Sequence, residues 1–338
     1  MKKGLFVLLA ILISGCSEYT EPQESDIAVF ERFLSKKTVN PTDNVNIASI
    51  YKEGDALFSP VLSIQRRKLA EAEEELQPLV EKGDPEAMFW MAKIIYRSSI
   101  KDTPKALALL KESAKTNPYA AMALFPDNRE CQRYFNGFCE DKWIDKAKKL
   151  FTEQSKNGDV RAEFYLKKLK EDHDVYISAI IEAAENNYLY PITEYANKIY
   201  RSKKYSQKMN ALAFELLQYG RSKNFIPALE ILMGIEIQAN GTDTSKIDKL
   251  VSDGITLGSN AAWIRRAIFS VQDKSMSDFN KYIIAKAIYE FNGDDFALSF
   301  AKQITDKKQL ALANKKAQEM VDAVEDVIYI DGAHPRQD

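Results

Sequence analysis

The sequence predicts an all-α protein, a right-handed α-solenoid of about seven helix-turn-helix repeats of roughly 35 residues. Gly or Asn recurs along the chain at steps of 29 to 41 residues, and the mean step of 35 residues is the length at which helix hairpins stack. Each of these anchors stands four residues before a small residue, which lets two helices approach closely. The pairs are Gly83 and Ala87, Asn117 and Ala121, Gly158 and Ala162, Asn187 and Pro191, Asn224 and Ala228, Gly258 and Ala262, and Gly293 and Ala297.

The second helix of each unit is predicted from two apolar positions, eight and eleven residues before each anchor after the first. Residues three apart share one helical face, so the two positions form a buried stripe. At the anchor, Gly or Asn suits the left-handed conformation that ends a helix. The alternative is that a helical protein rich in Ala and Leu shows this spacing by chance. Agreement of residue type at three positions of the repeat argues against chance. The stripe residues are Leu109, Leu150, Ala179, Leu216, Leu250 and Ala285, with Ala106, Ala147, Tyr176, Ala213, Ile247 and Tyr282.

The amino terminus predicts export and a lipid anchor. Positive charge at Lys2 and Lys3 precedes an apolar run that is too short to span a bilayer, which is typical of a signal peptide over residues 1–15. The sequence Ile13-Ser-Gly-Cys16 then resembles a lipoprotein box, which implies lipidation of Cys16. The residue after it is Ser17 and not Asp, which resembles the sorting pattern for the periplasmic side of a Gram-negative outer membrane. An ordinary signal peptide, or a cytosolic chain with an apolar start, is the alternative.

The rest of the chain divides into four predicted parts after a flexible tether at residues 16–28. An N-terminal helical cap covers residues 29–82, and the repeat array covers residues 83–305. An amphipathic pattern predicts a capping helix over residues 306–326. The tail, residues 327–338, begins with a strand-like run that pairs locally, lies in the groove of the solenoid or stays disordered.

The repeat columns resemble those of a known family, the Sel-one-like repeat, which is related to the tetratricopeptide repeat. The segment Gly83-Asp-Pro-Glu-Ala87, followed by Lys105-Ala106, matches its Gly-Asp-x-x-Ala opening and its Lys-Ala loop, and Gly158-Asp-Val-Arg-Ala162 matches the opening again. The resemblance covers roughly residues 54 to 305 and weakens after Asn187. The chain departs from the family pattern at Pro126, which shortens a helix, and at Pro191, which replaces the packing Ala.

Two further cysteines, Cys131 and Cys139, are predicted to form a disulfide in the oxidising periplasm. The bond closes a short loop with a turn at Asn136-Gly137, and the chain-entropy model gives it about 2 to 3 kcal/mol of stabilisation. Two free, buried thiols are the alternative. A metal site is not expected, because two thiols without nearby His fall short of the four ligands of structural zinc.

Composition and motifs predict neither catalysis nor nucleic-acid binding. The net charge is −2, and acidic and basic residues are interspersed. No phosphate loop, nucleophile elbow or dinucleotide fingerprint is present, so no cofactor is expected. The two histidines, His173 and His334, are predicted to be solvated, and Asp294-Asp295 to start a helix.

Aromatic residues predict protein binding. The chain has 33 tyrosines and phenylalanines, and Tyr and Trp are common anchors at interfaces. For any single one, packing between hairpins is the alternative. The resemblance also implies a partner class, because some lipid-anchored proteins with such repeats are immunity proteins that neutralise an interbacterial effector such as a phospholipase. An envelope scaffold or regulator of a cell-wall enzyme or sensor is the other hypothesis. The candidate partner-binding residues are Phe135, Phe138, Trp143, Tyr188, Tyr190, Tyr195 and Tyr200.

Overall fold

The computed structural model describes residues 19–36, 51–96, 101–241 and 245–335. Over these residues the protein is all-α, as predicted, with 18 helices and no strand. No helix in the described part is both long and apolar enough to cross a bilayer. The helices are α1 (Asp26–Ser35), α2 (Phe58–Gln65), α3 (Leu69–Glu81), α4 (Pro85–Ile95), α5 (Thr103–Ser113), α6 (Pro118–Met122), α7 (Arg129–Tyr134), α8 (Lys142–Lys156), α9 (Val160–Lys168), α10 (His173–Glu185), α11 (Tyr190–Arg201), α12 (Gln207–Ser222), α13 (Ile226–Asn240), α14 (Ser245–Thr256), α15 (Asn260–Gln272), α16 (Asp278–Asn292), α17 (Phe296–Phe300) and α18 (Lys307–Asp322).

Most helices pack against their neighbours in the sequence. The most extensive pairs are α4 with α5 and α11 with α12, and α18 covers α16 at the carboxyl end. One apolar core extends from Phe30 to Leu257 and also includes residues 328–330, and a second surrounds Trp263 and Phe291. The helix α1 is an exception, because it packs on α10 and α12, far along the chain.

The junctions between helices have the predicted backbone conformation at six of the seven anchors. Gly83, Gly158, Gly258, Gly293, Asn187 and Asn224 all have positive φ. The residue after the anchor caps the next helix in several units. For example, Asp84 Oδ1 accepts the amide hydrogens of Glu86 at 2.8 Å and Ala87 at 3.1 Å. Gly followed by Asp therefore ends one helix and starts the next.

The prediction is wrong at Asn117, whose φ is −101°. Its side chain is itself the cap of α6, accepting a hydrogen bond from the amide of Tyr119 at 2.8 Å. Asn117 is therefore both the anchor and the cap. Where the anchor is Gly83 or Gly158, the cap is the Asp one residue after the anchor. The helix that follows is only five residues long and ends before Pro126, as Pro at this place predicts.

The seven small residues after the anchors are all buried, which is the role predicted for them. At two of them the close approach of helices is direct. A Cβ added to Gly220 would lie 2.8 Å from Ala228 Cβ, and one added to Gly254 would lie 2.7 Å from Ala262 Cβ. The pairs α12 with α13 and α14 with α15 thus depend on small residues on both sides.

The N-terminal segment differs from the flexible tether that the sequence predicts. Tyr19 and Thr20 contact α10 and α11, and α1 already begins at Asp26. Phe30 and Phe33 of α1 are buried against the rings of Tyr195 and Tyr219. Phe30 and Phe33 lie three residues apart on one face of α1, which explains this docking. The polar residues before α1 are the reason why the sequence predicts a flexible tether there.

The C-terminal segment after α18 is also packed inside the molecule. Gln65 of α2 donates a hydrogen bond to the carbonyl of Val327 at 2.8 Å and accepts one from the amide of Tyr329 at 2.7 Å. Ile328, Tyr329 and Ile330 are buried, without forming a strand. Of the three alternatives for this run, local strand pairing and disorder do not match the described residues up to 335.

Candidate functional site

A groove beside the cysteine loop brings several predicted residues together. The sulfur atoms of Cys131 and Cys139 lie at bonding distance, 2.09 Å. The loop between them packs against α5 and leaves a groove with a volume of about 450 Å³. Because such a volume accommodates a few side chains and the groove is open to solvent, it can receive part of another molecule. Its lining residues are Thr103, Pro104, Leu107, Ala108, Lys111, Tyr134, Phe135, Asn136 and Phe138.

Two predicted residues in this region stabilise the loop, and one is presented to solvent. Phe135 is buried, with its ring centroid 6.1 Å from that of Tyr96. Trp143 is half-buried and donates a hydrogen bond from Nε1 to the carbonyl of Phe138 at 3.1 Å. Phe138 itself is 41% exposed. The loop therefore holds one large apolar side chain at the surface, at the rim of the groove.

Lys111 is the charged residue among those that line the groove. Its Nζ lies 3.9 Å from the centroid of the Phe138 ring, a distance typical of a cation–π contact. No ion pair is found for Lys111 within the described part of the chain. The groove thus offers an apolar floor, an exposed aromatic ring and a positive charge at one place.

Tyr195 binds the N-terminal segment of its own chain. Its hydroxyl donates to Asp26 Oδ2 at 2.7 Å, and burial together with this carboxylate raises its pKa. The ring centroid of Phe30 lies 4.8 Å from that of Tyr195. Asp26 also contacts His173, whose Nδ1 donates to the carbonyl of Tyr19 at 2.8 Å. Tyr195 is therefore covered while α1 is docked.

Tyr188 and Tyr190 bind the C-terminal segment. The Tyr188 hydroxyl donates to the buried carboxylate of Asp331 at 2.8 Å. The ring of Tyr190 is stacked on the imidazole of His334 with a centroid distance of 3.7 Å and an interplanar angle of 6°. Burial, and then the charge of Asp331, raises the pKa of both tyrosines. These hydroxyls will not ionise near neutral pH.

His334 is the centre of a charged cluster and not a solvated residue. Its Nδ1 lies 2.9 Å from Asp331 Oδ1, and its Nε2 lies 2.9 Å from Glu194 Oε1. Burial opposes a positive charge on the ring, but the two carboxylates outweigh burial and raise the pKa of His334 to about 10. The imidazolium therefore joins the tail to α11 as a salt bridge.

His173 also differs from the solvated histidine that the sequence predicts. It is the first residue of α10, and its two ring nitrogens face the Tyr19 carbonyl and the Asp26 carboxylate. Burial opposes its charge, while these two acceptors raise its pKa. In the described ranges no group of His, Cys, Asp or Glu is arranged to hold a metal ion.

The remaining candidates do not join these clusters. Tyr200 is half-buried and donates a hydrogen bond to Gln238 Oε1 at 2.6 Å. Cys16, the predicted lipidation site, lies outside the described residues. A second, buried cavity near Arg161 has a volume of about 30 Å³, which is enough for little more than a water molecule. Among these places, the groove beside the cysteine loop is the best formed candidate for binding.

Sequence reasoning missed two features of these surfaces. Lys111 lies five residues after Ala106 in α5, and this spacing is only a weak signal in the sequence, because the position of Lys111 beside Phe138 arises when the cysteine loop folds. Phe296 and Phe300 of α17 are 52% and 61% exposed, with ring centroids 5.0 Å apart. Their spacing of four residues on a helix placed them on one face, which was a signal available from the sequence.

No family model and no curated protein matches this chain.

Proposed function

We propose that this protein is a lipid-anchored envelope protein that binds another protein and catalyses no reaction. The observation that carries the proposal is the groove beside the cysteine loop, where Phe138 is exposed next to Lys111. A partner that suits it inserts an apolar side chain into the groove and places a carboxylate near the Lys111 ammonium. Exposed aromatic residues in a preformed pocket are frequent hot spots of protein interfaces.

The proposed architecture is a right-handed α-solenoid of about seven Sel-one-like repeats. The six left-handed junctions and the seven buried small residues support a repeating unit of about 35 residues. Such arrays recognise proteins more often than they catalyse reactions, because their stacked hairpins offer extended surfaces. Lipidation of Cys16 would place the array on the periplasmic side of the outer membrane.

The sharper form of the proposal is an immunity protein that neutralises an effector delivered into the periplasm by neighbouring bacteria, such as a phospholipase. It is motivated by the lipoprotein box, the degenerate repeats and the absence of catalytic motifs in the sequence. The test is to delete the gene and to expose the cells to siblings that deliver the effector encoded next to it. Increased killing, reversed by the wild-type gene, is the expected result. If the neighbouring gene encodes no secreted toxin and deletion leaves the cells no more sensitive, this form of the proposal is wrong.

The alternative is an envelope scaffold or regulator of a cell-wall enzyme or sensor. The same groove serves that function, so the nature of the partner separates the two hypotheses. Pull-down from solubilised envelopes would give a stoichiometric complex with an incoming effector in the first case and with a resident enzyme in the second. In both experiments the Phe138→Ala variant is compared with the wild type, since loss of capture by this variant shows that the partner binds at the groove.

A further inference from the structure

The N-terminal segment is fixed to the body of the protein from Tyr19 onwards. The carboxylate of Glu21 accepts hydrogen bonds from Lys198 at 2.9 Å, Lys204 at 2.6 Å and the hydroxyl of Tyr205 at 2.8 Å. These donors lower the pKa of Glu21 to about 2, so it is charged at any physiological pH. Thr20 also accepts from Lys198 through its carbonyl and hydroxyl oxygens, at 3.3 and 3.2 Å.

This docking limits the distance between the lipid and the body. Cys16 precedes Tyr19 by three residues, and a fully extended chain spans at most about 3.5 Å per residue, or about 10 Å here. If Cys16 carries the lipid, as proposed above, the surface around Tyr19 and Glu21 cannot lie far from the headgroups. The long flexible tether expected from the sequence would have allowed any orientation.

The connection between α11 and α12, which contacts Glu21, is rich in basic residues. Residues 198–208 contain Lys198, Arg201, Lys203, Lys204 and Lys208 and no acidic residue. Arg201, Lys203 and Lys208 are exposed and make no ion pair among the described residues. Their charges are therefore available to an anion outside the protein.

A groove suited to an anionic group lies at the same place. It has a volume of about 500 Å³, lies between residues 19–20 and α11, and is lined by Lys168, Lys198 and Arg201. Glu194 also lines it and shares the imidazolium of His334 with Asp331. Lys198 is paired with Glu21, so Lys168 and Arg201 are the basic residues of the lining without an ion pair among the described residues. Basic side chains next to a membrane anchor are attracted by anionic lipids.

We propose that the connection between α11 and α12, with the adjoining groove, binds the headgroups of anionic phospholipids and so fixes the orientation of the protein on the membrane. The inference rests on the proposed lipid anchor at Cys16. The anchor supplies the membrane affinity, and the basic residues 198–208 determine which face is turned to the bilayer. Two signals of this kind are a common basis of stable membrane association.

The test uses the full-length protein purified from membranes and placed in lipid nanodiscs. Mass spectrometry first establishes whether Cys16 is acylated. A soluble acylating reagent then labels lysines in detergent, in phosphatidylcholine discs and in discs that also contain phosphatidylglycerol. We expect Lys203, Lys204 and Lys208 of the wild type to be labelled severalfold more slowly in the anionic discs. Lys307 and Lys308, which are exposed on α18, are the control and should be labelled equally in all three.

The variant Arg201→Glu, Lys203→Glu, Lys208→Glu tests the charges directly. These side chains are exposed, so the melting temperature should not change, and Lys204 then reports on the surface. We expect the protection of Lys204 in anionic discs to be lost in the variant. An acylated protein with equal labelling in detergent and anionic discs, or equal protection in both lipids, overturns this inference alone. Absence of an acyl group on Cys16 overturns the proposed anchor as well.

Discussion

At the scale of single residues, each terminal segment is held by a cluster of charged and hydrogen-bonding side chains. His334 lies between Asp331 and Glu194, and Asp26 lies between His173 and Tyr195. Each cluster joins a terminal segment to α10 or α11. A buried carboxylate with several donors is costly to leave unpaired, so each terminal segment is bound specifically and not only by apolar contact.

The pKa of His334 predicts how stability changes with pH. It is raised from 6.5 to about 10 in the folded protein, so the stabilisation is complete below pH 6.5 and is lost as the pH rises through 10. Over that window the dependence approaches about 1.4 kcal/mol per pH unit, the value for one proton. We expect the melting temperature of the wild type to exceed that of His334→Gln most at low pH, with the gap narrowing toward pH 10. A gap that does not vary with pH would contradict the imidazolium bridge.

The hydrogen-bond partners of these side chains could not be predicted from the sequence. Three of the four tyrosines predicted to bind a partner protein, Tyr188, Tyr195 and Tyr200, donate hydrogen bonds from their hydroxyls. Their partners, however, are Asp26, Asp331 and Gln238 of the same chain. No local pattern links Tyr195 to a carboxylate 169 residues earlier, because that proximity arises only when α1 docks.

At the scale of helices, the junctions and the close packing were predictable because both depend on local chemistry. A left-handed backbone conformation favours Gly or Asn, and a close helix crossing needs a small side chain. Both kinds of residue therefore recur in the sequence about every 35 residues. Asn117 was misassigned because Asn also serves as a helix cap. The docking of residues 19–36 was missed because a single helix before the predicted repeats leaves no 35-residue period in the sequence.

The glycines at helix crossings give a direct test of this packing. Gly254→Ala is expected to destabilise the protein by about 1 to 3 kcal/mol, since the added methyl would meet Ala262. Gly234→Ala in α13 is the matched control, because a Cβ there meets no atom within 4 Å. That change should stabilise the helix by about 0.5 to 1 kcal/mol. Chemical denaturation of both variants is the measurement, and an equal effect of the two would refute the close crossing.

At the scale of the whole molecule, the described N-terminal and C-terminal segments both pack on the helical body of their own chain. The tail after α18 contacts α2 through Gln65 and α11 through His334, and α1 covers Tyr195. Residues that the sequence offered as a binding surface are therefore occupied by the chain itself. The cysteine loop is different, since Phe138 is left exposed beside a groove.

Docking of the tail depends on a residue without a side chain. A Cβ on Gly332 would lie 2.4 Å from Cγ of Tyr119, so Gly332→Ala should displace residues 327–335. Faster hydrogen exchange and proteolysis of the tail are expected, with Gly234→Ala as a control for the same chemical change. An unchanged exchange rate in residues 327–335 would show that the tail is not held by this contact.

The groove beside the cysteine loop is proposed to bind a protein partner, and a comparison of three affinities tests this proposal. Calorimetry would measure binding of the effector encoded by the neighbouring gene to the wild type, to Phe138→Ala and to Phe214→Ala. Phe214 is the control because it is 40% exposed on α12, outside the groove, against 41% for Phe138. Loss of an aromatic hot spot predicts an affinity at least about 30-fold lower for Phe138→Ala and no change for Phe214→Ala. Equal affinities for all three proteins would contradict the account.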